Sequence, residues 1–187
     1  SGLRLFLQVF LPPTGNFAID NNRFHVFDRN TFSYPLLQGL GLFFYLQAEK
    51  KETGQVMAVI ATITLNPSID RTLEIDRLVV GGMNRVKSKV DHPSGKGINV
   101  SRDLSLWGFP TEALTMVGGD SGRWLVQALE EQNIPVDFVE VEGETRINVK
   151  IWAAKENQST EVNEPGPVVT QRELEELLAQ VRAKASR

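Results

Sequence analysis

The sequence has no cysteine and only two histidines among its 187 residues, and each shortage excludes a class of protein. Without cysteine the chain can form no disulfide, no thiolate metal site and no cysteine nucleophile. His25 and His92 lie far apart along the chain, which argues against a dedicated metal site. The lack of cysteine also suits a cytoplasmic protein, and the cytoplasm is the location that we expect.

Neither a long hydrophobic run nor a strong excess of one charge is present. The apolar run over residues 36–46 is far shorter than the roughly 20 residues that a helix needs to span a bilayer. The opening stretch LRLFLQVFLPP lacks a small-residue cleavage site, so we expect no signal peptide. A net charge of −3 offers no electrostatic basis for binding nucleic acid or an anionic membrane. We therefore expect neither as a partner.

The residues that are present divide the chain near Met57. Eight of the ten phenylalanines and both tyrosines precede this residue, in a segment with neither helical periodicity nor strand alternation. Within it, the stretch AEKKETGQ at residues 48–55 is interpreted as a polar linker. We predict that residues 1–56 are an appendage, or sequence upstream of a natural start at Met57. Residues 57–187 then form the domain.

From Met57 onward the pattern is typical of an α/β protein with a small additional sheet. The stretches AVIATITL (58–65) and EALTMV (112–117) are almost wholly apolar or β-branched, as strands buried on both faces are. Residues 71–79 and 84–92 alternate instead, which predicts half-exposed antiparallel strands. Further strands are predicted at 136–141, 145–152 and 159–163. Buried strands separated by helices predict a parallel sheet, with the alternating strands in a smaller sheet at one edge.

The first predicted helix follows the glycine-rich loop that ends at residue 97. Val100, Leu104 and Trp107 fall at a spacing that places them on one apolar face. Gly108 suits the C-terminal end of this helix, and Pro110 prevents its continuation. We therefore expect this apolar face to pack on the core.

Two further helices are predicted from their N-terminal signals. Asp120 or Ser121 can cap a helix whose apolar positions lie between residues 124 and 129. Thr170 and Glu173 have the spacing of a capping box, and an amphipathic stretch follows them. The sequence therefore predicts a helix that begins near residue 170.

The loop Ser94-Gly95-Lys96-Gly97 is a candidate ligand site. It lacks the earlier glycine and the following Ser or Thr of a Walker phosphate loop, and it lacks the third glycine of a dinucleotide fingerprint. Its small residues would still let a ligand reach backbone N–H groups at a helix N-terminus, beside the cation of Lys96 and the amide of Asn99. A tight turn without a ligand fits equally well.

Two other stretches hold polar groups that could meet a ligand at this loop. Asp70 follows the carboxyl end of a buried strand, where open α/β sheets place their ligands, and a carboxylate can accept from two sugar hydroxyls. Taken alone, Asp70 is better explained as a turn residue. In TRINVKI, Arg146, Asn148 and Lys150 share one strand face, and Arg146 offers a planar fork suited to phosphate. Taken alone, this face is better explained as a solvated one. In combination, the stretches indicate a site for a phosphorylated sugar.

These stretches resemble the ribokinase/PfkB family of carbohydrate kinases, and within it the 1-phosphofructokinases and tagatose-6-phosphate kinases. ITLNPSID resembles the family's opening strand with its substrate aspartate. SGKGINVSRDLSLWG followed by VGGDSG resembles the family's first signature, and TRINVKI resembles the lid strand of 1-phosphofructokinases. The resemblance covers residues 57–187, which it implies are the N-terminal part of the family's domain including the lid strands, and it finds no counterpart for residues 1–56.

The resemblance implies a ribokinase-like three-layer αβα core with a small β-sheet lid, which closes over a phosphosugar and often builds a dimer contact. It implies transfer of the γ-phosphoryl group of ATP to a sugar-phosphate hydroxyl, with Mg²⁺ neutralising charge. The implied reaction converts fructose 1-phosphate to fructose 1,6-bisphosphate. Asp70 would bind sugar hydroxyls, and Arg146 would lie near the phosphate. The substrate-binding residues that the resemblance implies are Asp70, Gly95, Lys96, Gly97, Asn99, Arg146 and Asn148.

The sequence departs from the family pattern in two places. Ser94 stands where the family more often has Gly or Ala. The family's catalytic base, an Asp in a Gly-Ala-Gly-Asp loop, belongs to the second half of the domain with most of the ATP site, and neither occurs in these residues. Asp120 lies in a different Gly/Asp turn and is not assigned as the base. We assign no catalytic or metal-binding residue.

These departures set what we expect of the chain by itself. We expect little or no kinase activity from these 187 residues alone. We also expect poor solubility or association, because a parallel sheet that stops short leaves an unpaired edge. The alternative is a non-catalytic module that binds sugar phosphate or pairs with a kinase subunit. A dinucleotide-binding oxidoreductase is a more remote alternative.

Overall fold

The fold is known from a computed structural model, which describes the backbone at residues 6–9, 18–20, 23–25, 42–52 and 55–185 and the side chains between residues 59 and 184. Eleven strands and three helices lie in these ranges. The strands are β1 (Phe6–Val9), β2 (Ala18–Asp20), β3 (Arg23–His25), β4 (Leu42–Glu52), β5 (Gln55–Thr64), β6 (Ser68–Ile75), β7 (Ser88–Ser94), β8 (Thr111–Val117), β9 (Val136–Glu140), β10 (Arg146–Ala153) and β11 (Gln158–Val162). The helices are α1 (Lys96–Leu106), α2 (Gly119–Glu130) and α3 (Gln171–Ala185). Within these ranges no helix is long and apolar enough to cross a membrane.

The central sheet has five strands in the order β1-β4-β5-β8-β9. Strands β5, β8 and β9 run parallel, which confirms the predicted buried strands and their orientation. Strand β4 pairs antiparallel with β5 from Leu46 opposite Ala61 to Glu52 opposite Gln55. The interpretation of residues 48–55 as a linker was therefore wrong, since residues 48–52 lie in β4 and residue 55 lies in β5. This pair of strands extends across the boundary predicted at residue 57, and the boundary stays a prediction.

Helices cover both faces of the parallel strands, so the core has the expected three layers. On one face, α3 contributes buried Leu177 to a cluster with side chains of β5, β8 and β9. On the other face, Ile98 of α1 and Leu125 and Leu129 of α2 pack on Ala113 and Val117 of β8. Alternate residues of the parallel strands thus meet helices on opposite sides, as strands buried on both faces require.

The face of α1 that meets the core differs from the predicted one. The buried residues are Gly97, Ile98 and Ser101, whereas Trp107 is 72% exposed. The Ser101 hydroxyl lies 2.7 Å from the hydroxyl of Thr62 and accepts from that of Thr111 at 2.9 Å. Apolar periodicity misses this face because Ile98 shares it with a glycine and a serine, whose contacts with the core leave no apolar pattern. The predicted end of the helix is confirmed, since Gly108 has φ +79°.

The N-terminus of α2 is also capped differently from the prediction. Its N-cap is Gly118 with no side-chain cap, so neither Asp120 nor Ser121 fills that position. The carboxylate of Glu144 accepts from the backbone N–H groups of Asp120 at 3.2 Å and Ser121 at 3.0 Å. A residue 24 positions away therefore supplies the cap, which local spacing could not indicate. A hydrogen bond from the Ser121 hydroxyl to the Glu144 carboxylate, together with these two backbone bonds, holds the pKa of Glu144 below its ordinary value.

The capping box at the third helix is confirmed. The Thr170 hydroxyl accepts from the backbone N–H of Glu173 at 3.3 Å, and the Glu173 carboxylate accepts from the backbone N–H of Thr170 at 2.6 Å. The two residues thus satisfy each other's backbone donors where α3 begins. The predicted helix start at residue 170 agrees with this geometry.

The second, four-stranded sheet has the order β11-β10-β6-β7, and we call it the lid sheet. Strands β6 and β7 are antiparallel, as predicted, and so are β10 and β11, while β10 and β6 are parallel. Every residue of β11 is exposed, and only the ends of β6, β7 and β10 are buried. The lid sheet therefore stands beside the core as a thin, largely solvated layer.

Candidate functional site

A hollow of about 560 Å³ lies between the lid sheet and α1. Polar side chains make up most of its wall. From the lid sheet and the segment after it, the lining residues are Asp70, Thr72, His92, Ser94, Asn148, Val149, Lys150, Glu161 and Asn163. From α1 they are Asn99, Arg102, Asp103 and Leu106.

Strand register places the polar residues of the lid in rows. Asn148 pairs with Asp70, and Asp70 pairs with His92, so these three residues form one row across β10, β6 and β7. Residues opposite one another on neighbouring strands share a face of the sheet. All three line the hollow, and Asn99 lies on its other wall. The structure thus brings together the predicted site residues Asp70, Asn99 and Asn148.

Asp70 is held by its neighbours through one carboxylate oxygen. Its Oδ1 accepts from the Ser68 hydroxyl at 2.9 Å and from the Asn148 amide at 3.1 Å. No group in the described part of the chain donates to Oδ2. The carboxylate is therefore oriented in advance and keeps acceptor capacity for a ligand hydroxyl.

Two amide side chains of the site have unused hydrogen-bonding capacity. The Oδ1 atom of Asn148 is buried and lacks a partner among the described residues. An unsatisfied buried acceptor costs about 1–3 kcal/mol, and a donor from a ligand or water would remove that cost. Asn99 is exposed and lines the hollow, and its Oδ1 accepts from the Ser94 hydroxyl at 3.3 Å, which leaves its NH₂ donors for a ligand.

Gly95, Lys96 and Gly97 do not line the hollow. A Cβ on Gly97 would lie 2.6 Å from the carbonyl oxygen of Ile63, and one on Gly95 would lie 2.6 Å from Cγ2 of Thr64. The backbone N–H of Ile98 donates to the Thr64 hydroxyl at 3.0 Å. Both glycines are thus explained by the close approach of α1 to the end of β5. Their role in binding a ligand stays a prediction.

Arg146 lies on the same lid face as Asp70 but outside the hollow. It pairs with Ser68, two residues before Asp70 on β6, and so lies in the next row of the same face toward the core. Its guanidinium donates to the backbone carbonyls of Pro67 at 3.3 Å, Glu164 at 3.3 Å and Asn66 at 3.2 Å. Burial lowers the pKa of Arg146, and the charge of Asp70 acts in the opposite direction. Phosphate binding by Arg146 stays a prediction.

Three other basic residues line the hollow and were not singled out for it from the sequence. His92 is in the row of Asp70, Lys150 lies one row further from the core, and Arg102 comes from α1. Lys150 pairs with Glu161 at 3.3 Å. Alternation along TRINVKI placed Lys150 on the face of Asn148, although Lys150 was not named among the substrate-binding residues. Arg102 follows Asn99 by three residues, a spacing that shares a helix face.

No group of three or more His, Asp or Glu side chains that could hold a metal ion occurs in the described residues. Lys96 is exposed and projects from the first turn of α1 without lining the hollow. The polar groups assembled around the hollow include hydroxyl, amide, carboxylate and basic side chains, which suit an organic ligand with hydroxyl and anionic groups.

Comparison with known proteins identifies relatives of this arrangement. The chain is 40% identical over 125 residues to a 1-phosphofructokinase of Bacillus subtilis, covering 67% of this chain and 40% of that protein. It is 36% identical over 124 residues to a D-tagatose-1-phosphate kinase of Bacillus licheniformis, covering 66% of this chain and 40% of that protein. The crystal structure of Escherichia coli phosphofructokinase-2 in complex with fructose-6-phosphate is similar with a TM-score of 0.65 and 31% identity, covering 68% of this chain and 42% of that one.

These relatives confirm the ribokinase-like fold expected from the sequence. The chain spans about 40% of the length of the curated relatives that it matches. The model of the pfkB family carbohydrate kinases matches residues 63–185, which include both walls of the hollow. By its sequence and its fold, the chain belongs to the PfkB family of carbohydrate kinases.

Proposed function

We propose that the chain provides the sugar-phosphate site of a kinase whose acceptor is fructose 1-phosphate. One observation carries the proposal: Asp70 and Asn148 face Asn99 across one hollow between the lid sheet and α1. Three carboxylates, three amides and three basic residues around one hollow suit a ligand that has both hydroxyl and phosphate groups.

The chemistry of the hollow supports separate roles for its residues. Asp70 accepts from sugar hydroxyls through Oδ2, and Asn99 contributes an amide from the opposite wall. Arg102 and Lys150 are cations that can meet the substrate phosphate, and Arg146 has two N–H donors beyond the three that hold backbone carbonyls. Glu161 and Asp103 limit the positive charge of the hollow, so a monophosphate suits it better than a more highly charged ligand.

The choice of substrate comes from the relatives. The names of the two curated relatives state that they act on fructose phosphate and on D-tagatose 1-phosphate. We transfer the first to this chain, so the full reaction gives fructose 1,6-bisphosphate. The competing substrates are fructose 6-phosphate and the D-tagatose phosphates, which differ in phosphate position or in one stereocentre.

ATP and Mg²⁺ belong to the proposal through the family alone. ATP would supply the phosphoryl group, and Mg²⁺ would neutralise its charge. The described residues do not fit a magnesium site, because no acidic cluster occurs among them. We assign no described residue to the catalytic base or the nucleotide, and we expect these 187 residues alone to turn over little or no substrate. We also propose the cytoplasm as the location of the protein.

Titration calorimetry of the 187-residue chain with fructose 1-phosphate tests the proposal. We expect binding that Asp70→Asn weakens by roughly 10- to 100-fold, because a lost hydrogen bond to a charged group costs about 1.5–3 kcal/mol. Asp76→Asn is the matched control, since Asp76 is a lid carboxylate outside the hollow that pairs with Lys155 at 3.4 Å. Equal binding by Asp70→Asn and the control would overturn the proposal.

A non-catalytic module that binds sugar phosphate or assembles with a kinase subunit is the second candidate. The observation that favours it is the absence of an assigned base among residues that include the whole hollow. A coupled assay of ATP consumption with fructose 1-phosphate separates the two, and robust turnover would exclude the module. The DNA downstream of codon 187 gives a second answer, because an in-frame Gly-Ala-Gly-Asp segment would favour the enzyme.

We also propose that the protein forms a homodimer through the strands of the lid sheet. Val80 is 91% exposed and Met83 is 80% exposed, in the connection between β6 and β7. Val79 and Val86 in the same connection, and Val90 in β7, are about half exposed. Apolar side chains gathered in this way favour an interface. Among the related structures, Escherichia coli phosphofructokinase-2 has a tetrameric inhibited form.

A further inference from the structure

We infer that Arg146 is a positioning residue, which holds the lid sheet at a fixed angle to the core before any ligand binds. Four connections join the lid to the core: residues 65–67 between β5 and β6, residue 95 between β7 and α1, residues 141–145 between β9 and β10, and residues 163–170 between β11 and α3. Arg146 is the first residue of β10, so it stands at the lid end of the third connection.

The guanidinium of Arg146 joins that connection to two others. Nε and one terminal nitrogen donate to the carbonyls of Pro67 and Asn66, which belong to the first connection. The other terminal nitrogen donates to the carbonyl of Glu164, which belongs to the fourth. One side chain therefore links three of the four places where the chain passes between lid and core.

Only an arginine suits this geometry. A guanidinium holds its donors in a rigid plane and can address three acceptors in different directions, whereas a lysine ammonium is a compact point charge on a flexible stem. The three bonds are 3.2–3.3 Å long, so each is weak and their effect depends on being made together. A change of lid angle would break them as a group.

Other contacts around the Arg146 side chain restrict the first and the fourth connection as well. The Glu164 carboxylate accepts from the backbone N–H of Ile147 at 2.9 Å, and the Asn66 amide donates to the carbonyl of Pro165 at 3.0 Å. Gly166 has φ +87°, and a Cβ there would lie 2.5 Å from Oδ1 of Asn66 and 3.3 Å from Cδ of Arg146. The segment after β11 is thus packed directly against the Arg146 side chain.

The lid angle controls the geometry of the hollow. Asp70 and Asn148 are fixed to the lid, whereas Asn99 is fixed to α1 in the core. Their separation therefore depends on the angle that Arg146 holds. This inference goes beyond the proposed function and does not depend on it, because the angle can be measured with no ligand present.

Pulsed electron resonance between two spin labels tests the inference. The chain has no cysteine of its own, so Ala154→Cys in the lid and Ala179→Cys on α3 give two specific labels at exposed positions. We expect one narrow distance distribution in the labelled parent. We expect Arg146→Met to broaden it and shift it to longer distances, and Arg146→Lys to give an intermediate distribution, since a lysine cannot hold three carbonyls together.

Arg77→Met is the matched control, because Arg77 is a lid arginine that is 68% exposed and lies away from these connections. Its distribution should equal that of the parent. A parent-like distribution in Arg146→Met would overturn the inference. If Arg146→Met fails to fold, the distance distribution of Arg146→Lys is the test. A parent-like distribution in Arg146→Lys would then overturn the inference. Loss of sugar-phosphate binding with an unchanged distribution would assign Arg146 to the ligand instead.

Discussion

At position 97 a methyl group has no room. Its Cβ would lie 2.6 Å from the carbonyl oxygen of Ile63 and 2.7 Å from the Thr64 hydroxyl oxygen, and neither group is a flexible side-chain end. We therefore expect Gly97→Ala to lower the free energy of unfolding by roughly 1–3 kcal/mol, the usual cost of overpacking a core. Urea denaturation followed by circular dichroism measures this change.

Asn99→Ala on the same helix is the comparison for Gly97→Ala. Asn99 is exposed, so this change should leave the free energy of unfolding within about 0.5 kcal/mol while weakening sugar-phosphate binding. The two variants separate the packing role of the loop from its binding role. A Gly97→Ala variant as stable as the parent would contradict the packing argument.

Single residues of the site differ in how far the sequence could predict them. Asn148 follows from strand alternation, because alternate residues of a strand share a face. Asp70 was predicted from its place after a buried strand, whereas the structure places it within β6, where register pairs it with Asn148. The position of Arg146 depends instead on where three distant connections meet, and no local pattern encodes that meeting. The glycines were predicted as a ligand loop, whereas their close contacts are with the end of β5.

At the level of elements, α3 is tied to the sheet by one lysine. The Lys184 ammonium lies 2.6 Å from a carboxylate oxygen of Glu112 on β8 and 2.7 Å from one of Asp137 on β9. Its side chain is 16% exposed. Burial by itself lowers the pKa of Lys184, but the hydrogen bonds and charges of Asp137 and Glu112 together raise it.

We expect Lys184→Met to lower the free energy of unfolding by about 2 kcal/mol, because hydrogen bonds to charged groups contribute about 1.5–3 kcal/mol. A raised pKa means that this contribution is complete below the unfolded-state pKa and is lost as pH rises through the higher folded-state pKa. The difference between parent and variant in urea melts should therefore persist at neutral pH and shrink above the ordinary lysine pKa of 10.5. Lys155→Met, at a lid lysine 60% exposed, should change little.

The elements themselves were predicted well wherever apolar pattern decides them. Strands β5, β8 and β9 and the start of α3 follow from burial and capping signals near the residues concerned. The predicted core face of α1 was wrong because hydroxyl groups take part in its contacts with the sheet. The predicted cap of α2 was wrong because the distant Glu144 supplies it. Polar contacts between residues far apart along the chain thus cannot be predicted from local sequence patterns.

For the whole molecule, the exposed apolar stretch of the lid predicts self-association. Val80→Asp removes the most exposed of its large apolar side chains and adds a charge. We expect this variant to be shifted toward monomer in light scattering, since a charge at an apolar interface is unfavourable. Val168→Asp, at a valine 70% exposed outside the lid, is the control. The same mass for Val80→Asp and the parent at every concentration would exclude the lid dimer.

The edge of the parallel strands at β5 is covered by another strand. Strand β4 occupies that edge in antiparallel pairing, and β1 pairs with β4 from Phe6 to Val9. The residues that the sequence assigned to an appendage thus supply backbone partners to the first strand of the domain. An edge covered in this way cannot pair with another chain.

Removing residues 1–56 tests whether the pairing of β4 with β5 prevents association through the β5 edge. The 57–187 chain would expose the donors and acceptors of β5 that pair with β4, whereas the edge at β9 is the same in both chains. An increase in association on removal of residues 1–56 is therefore explained by the newly open β5 edge. We expect light scattering to give a higher and more concentration-dependent mass for the 57–187 chain, because an open strand edge is a template for pairing. If the shortened chain instead stays monodisperse with the oligomeric state of the parent, β4 does not protect the sheet and its pairing with β5 is dispensable.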